Sequence, residues 1–89
     1  MTPRVLKMQQ SPVPGEFKDC GTVLIKADGS FEGKGTPEPL NKLLTGLTPR
    51  KFFDGPVVPK DDPKYAEAAA DEIERASNWY YSVKDIVNA

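Results

Sequence analysis

Apolar residues fall into several patterns along the chain, and each predicts a different element. In the C-terminal third, Ala66, Ala69, Ile73, Ala76, Tyr80, Val83 and Val87 recur at alternating spacings of three and four. Residues so spaced share one face of a helix. Tyr65, Ala68, Trp79 and Ile86 widen that stripe, while Glu67, Asp71, Glu74, Asn78, Ser82 and Asp85 lie opposite. Asp61 or Asp62 is placed to cap the first free N–H groups, Pro63 suits the first helical position, and no Gly or Pro follows. The pattern predicts one amphipathic helix over 62–88, roughly 37 Å long at 1.5 Å per residue. Its stripe tapers from alanines to Trp and Tyr. Glu72 falls inside the apolar arc, so it is expected at the edge of the stripe or against a cation. Asp71 and Arg75 stand four apart and can pair.

A different period governs the middle of the chain. Thr22–Ala27 is rich in β-branched and aliphatic residues, and Asp28-Gly29 supplies a turn that tolerates positive φ. Ser30–Gly33 is the return strand of the predicted hairpin, with Val23, Ile25 and Phe31 on one face and Leu24 on the other. Leu40, Leu43, Leu44 and Leu47 then repeat as a two-turn helical stripe that begins near Thr36 or Pro37 and stops by Pro49. Before all this, residues 1–16 carry Pro3, Pro12 and Pro14. Proline fixes φ and biases the preceding residue toward extended backbone, so this segment reads as an arm. Val5, Leu6 and Met8 are its apolar positions, for a short strand or a groove on a neighbour.

The expected fold class is therefore α+β. A single small domain holds one β-hairpin, a short Leu-striped helix and a long C-terminal helix, with an extended Pro-rich arm. Its parts are residues 1–16 (arm), 17–60 (hairpin, short helix and loops) and 61–89 (long helix). At 89 residues with nine prolines and seven glycines, the chain buries a modest core and is rich in loops.

Charge adds one asymmetry. The net charge is −1, with a surplus of Lys and Arg before residue 61 and of Asp and Glu after it. The two halves can complement each other within one fold, or one can face a partner of opposite sign. The low net charge argues against nucleic acid as a partner. The mixed cations and aromatics of Arg50-Lys51-Phe52-Phe53 can in principle stack bases, but the motif is four residues long.

Candidate chemistry is sparse. The chain has no histidine, which removes the usual general base, the commonest metal ligand and every Ser-His or Cys-His dyad. Cys20 is the single cysteine, so no intrachain disulfide can form. Lys18 nearby is the one feature that favours its thiolate, and a small half-buried apolar role is the plainer reading. Asp28, Ser30, Glu32 and Gly33 imitate the start of a calcium loop, but its twelfth position is Pro39 where a Glu is needed. Gly33-Lys-Gly lacks the ending of a phosphate loop. We therefore expect no catalytic, cofactor or metal site.

No run is long and apolar enough to suggest a membrane span, and Met1 opens a segment without the apolar core of a secretory signal. The expected setting is intracellular and soluble, or inside an assembled particle. No stretch carries a motif specific enough to name a family.

The functional expectation follows from what remains. It is a non-enzymatic accessory or structural subunit that docks into a larger assembly, such as a virion or a multi-subunit complex. Docking through the arm and the long helix, with unlike protein chains as partners, is expected to use Ala69, Ile73, Ala76, Trp79, Tyr80, Val83, Phe52 and Phe53. The alternative is a free-standing regulator or inhibitor whose acidic helix face engages a basic surface.

Overall fold

The computed structural model describes residues 3–47, 51–52, 55–77, 79–82 and 86–89. The chain runs β1 (Arg4–Val13), β2 (Glu16–Ile25), β3 (Phe31–Lys34), α1 (Glu38–Gly46), α2 (Tyr65–Ala76), β4 (Tyr80–Ser82) and β5 (Val87–Asn88). The five strands form one antiparallel sheet in the order β3-β2-β1-β4, with β5 on the same side of β1 as β4. This is a small β-rich domain with two short helices, which overturns the helix-dominated α+β arrangement predicted from the sequence.

Two corrections account for the difference. The first concerns the N-terminal arm, which is the central strand of the sheet. Its prolines hide this from a sequence reading, yet none interrupts a needed bond. Pro3 precedes β1, and Pro12 sits where the β1–β2 register shifts near the hairpin tip. Proline is tolerated at strand starts and at bulges. Leu6 and Met8, two apart, then face the core while Val5 and Lys7 face away.

The second concerns the long C-terminal helix. It starts at Tyr65 and stops at Ala76, where Ser77 adopts extended backbone and its N–H closes on the Ile73 carbonyl at 3.1 Å. The expected capping does not occur: Lys64 is the N-cap, without a side-chain cap bond, Pro63 lies before it, and the Asp62 carboxylate accepts from the Lys64 N–H at 2.8 Å in the turn that leads into the helix. Beyond Ser77 the chain turns back and runs along β1. Tyr80 opposes Gln10, Ser82 opposes Met8, and Val87 opposes Val5. Trp-Tyr-Tyr-Ser is β-prone by composition, and the pairing gives its backbone a ladder. Tyr80 fits the helical stripe and equally fits an inward strand position, so spacing alone cannot separate the two.

The local elements match their sequence signals. The Asp28-Gly29 turn connects β2 and β3, with Gly29 at φ +88°. The Asp28 carboxylate accepts from the Ser30 N–H at 2.9 Å and the Ser30 hydroxyl at 2.6 Å. These bonds, the hydroxyl's first, lower the Asp28 pKa. The Leu-striped helix is present as α1, with Leu40 and Leu44 buried and Leu43 and Leu47 packed at the core margin.

Both helices cover one face of the sheet. Leu6, Met8, Val23, Ile25 and Tyr80 meet Leu40, Leu44, Tyr65, Ala66, Ala68, Ala69, Ala70 and Ile73 in a single core. The alanines let the first turns of α2 lie close against the strands, and Tyr65 anchors the far end by donating its hydroxyl to the Gly29 carbonyl at 2.9 Å. Burying these side chains contributes about 25 cal/mol per Å² of apolar surface, which makes this face the main source of stability.

Candidate functional site

The sequence-predicted docking residues do not gather on one surface. Ala69 and Ile73 are fully buried and Tyr80 nearly so, all inside the core. They hold the fold together and are closed to a partner. Ala76 is exposed at the end of α2, and Phe52 packs half-buried against the core. Trp79 is exposed. Val83 and Phe53 lie outside the described residues, as does Arg50 of the mixed cation–aromatic motif. Of the expected set, Trp79 is the large side chain that faces solvent.

What the structure assembles instead is the sheet face that, among the described residues, neither helix covers. Strand alternation puts Val5, Lys7 and Gln9 there. Their cross-strand partners share it: Leu24 and Val87 flank Val5, Thr22 flanks Lys7, and Asp19 and Tyr81 flank Gln9. At one end, Val87, Val5 and Leu24 form an apolar row. At the other, the rings of Phe17 and Tyr81 meet edge-to-face, centroids 5.5 Å apart. Such aromatic pairs add about 0.5–1.5 kcal/mol beyond the area they bury. The ladder continues past β4, because the Ser11 N–H donates to the Trp79 carbonyl at 2.9 Å. Alternation therefore carries Trp79 to the same face as Tyr81. Between the two ends stand Lys7 and Asp19, 3.7 Å apart, with Gln9 donating to Asp19 at 3.2 Å.

Exposure marks this face as unusual. Among the described residues five large hydrophobic side chains are more than half exposed: Val13 (52%), Phe17 (54%), Val57 (58%), Trp79 (59%) and Val87 (54%). Phe17, Trp79 and Val87 are on the outer sheet face, and Val13 is at the tip of the β1–β2 hairpin. Apolar exposure concentrated on one face marks an interaction surface more often than residues scattered over the whole molecule do.

A bulge in β2 shapes the middle of this face. Between Asp19 and Thr22 the strand carries one more residue than β1 does between Lys7 and Gln9. Gly21 occupies the bulge at φ +97°, and a side chain there would run into the Lys34 carbonyl oxygen and the Gly35 backbone. Cys20 is thereby turned toward the core margin. Burial first, and the charge of Asp19 second, raise its pKa, the reverse of the effect expected from Lys18.

The acidic side of α2 forms a second feature. Glu67, Asp71 and Glu74 line a groove of about 340 Å³ with Ala70, Ser82 and Ile86. Glu74 is engaged within the fold: it accepts from the Ser82 N–H at 3.1 Å and the Ser82 hydroxyl at 3.3 Å, tying α2 to the edge of β4. Glu72 meets a cation as its position requires, with Arg75 Nη2 at 3.1 and 3.3 Å from its two oxygens.

Among the described residues, no group of His, Cys, Asp and Glu is arranged to hold a metal ion, and no helix is long and apolar enough to cross a membrane. Neither a protein-family model, nor a curated protein, nor a solved structure matches the chain. Two local signs of these strands stand in the sequence: Leu-Lys-Met-Gln alternates apolar with polar, and Trp-Tyr-Tyr is a strand composition. The pairing that joins these two segments is long-range and leaves no local signal.

Proposed function

We propose that the protein is a non-enzymatic subunit whose outer sheet face docks on another protein chain within a larger assembly. The observation that carries this reading is that Phe17, Trp79 and Val87, all more than half exposed, share the sheet face away from α1 and α2, Phe17 and Trp79 at one end and Val87 at the other. The absence of histidine and the raised pKa of Cys20 support a binding role over a catalytic one. A standard interface removes about 800 Å² from each partner, which one broad side of a body 35 × 28 × 23 Å can supply. Hydroxyl-radical footprinting tests the reading. Phe17, Tyr81 and Trp79 are labelled in the dilute purified chain and are protected in material isolated from the native source. Equal labelling in the two samples refutes it.

A second reading rests on the acidic groove of Glu67, Asp71 and Glu74. In it the protein is a small regulator that engages a basic protein surface. Binding then weakens steeply between low and physiological salt, and Glu67→Lys with Asp71→Lys abolishes it. Salt-independent binding, or binding unaffected by the reversal, removes this reading. The outer face is the better supported of the two, because Glu74 is already committed to Ser82.

A further inference from the structure

We draw no further inference here: the strongest candidate, the outer sheet face with Val5, Leu24 and Val87 at one end and Phe17, Trp79 and Tyr81 at the other, belongs to the surface already described, and nothing in the structure shows what covers it.

Discussion

The two faces of one sheet differ less in composition than in fate. Along β1, Leu6 and Met8 are fully buried, while Val5 between strand neighbours Leu24 and Val87 is only half covered. Across β4, Tyr80 is in the core and Tyr81 meets Phe17 edge-to-face outside it. Both faces offer aliphatic and aromatic side chains, and two helices arrive at only one. An antiparallel sheet that leaves one face to water ordinarily alternates apolar with polar. Here the alternation is incomplete, which is the physical basis for reading the outer face as a surface meant to be covered.

Substitutions on the two faces should separate fold from association. The largest effect belongs to the core. Leu6→Ala or Ile73→Ala removes a fully buried side chain and costs about 2–5 kcal/mol, which urea denaturation of the isolated chain measures. Gly21→Ala comes next, because it forces a side chain into positive φ against the Lys34 and Gly35 backbone. Strain of that kind costs about 1–3 kcal/mol, and amide exchange should show the loss first in β2 and β3. A smaller loss is expected from Glu74→Ala. It frees the Ser82 N–H and hydroxyl for about 1 kcal/mol, seen as faster exchange at Ser82 with the β1–β2 hairpin unchanged.

The outer face should hardly register by the same measure. Val87→Ser in the isolated chain changes stability by less than about 0.5 kcal/mol while weakening association with the partner chain. A core-sized loss there would erase the distinction between the faces.

The Asp28 turn gives the finest test. Ser30 holds the carboxylate pKa below its ordinary value. The turn's contribution is therefore complete above the unfolded carboxylate pKa of about 3.9. It is lost as pH falls through the lowered folded value. An NMR titration of the Ser30 amide should move with a midpoint below that of a free Asp, and a midpoint above it contradicts the hydrogen bonds seen.

How much was readable beforehand depended on the range of the interactions. The Asp28-Gly29 turn and the Leu40–Leu47 stripe announce themselves because their bonds join residues a few positions apart. The tail did not, because Ala66 to Ile73 and Tyr80 to Val87 can be strung on one helical period although the chain reverses between them. The helix stops before Ser77 with neither Gly nor Pro to mark the place. The docking set suffered from the same error: drawing one helix through both segments placed core residues such as Ile73 and Tyr80 beside Trp79.

By itself the sequence determined the local geometry: where the second hairpin turns and where α1 starts and stops. It also determined which chemistry a chain without histidine lacks. Tertiary structure alone decided that a proline-flanked N-terminal segment becomes the central strand, that the last residues pair with it, and that α1 and α2 pack on the same face of the sheet. Those outcomes depend on backbone pairing between Pro3 and Ala89 and between Ser11 and Trp79. Such bonds are worth forming only once the helices have closed the opposite face, and no local window of sequence contains both partners.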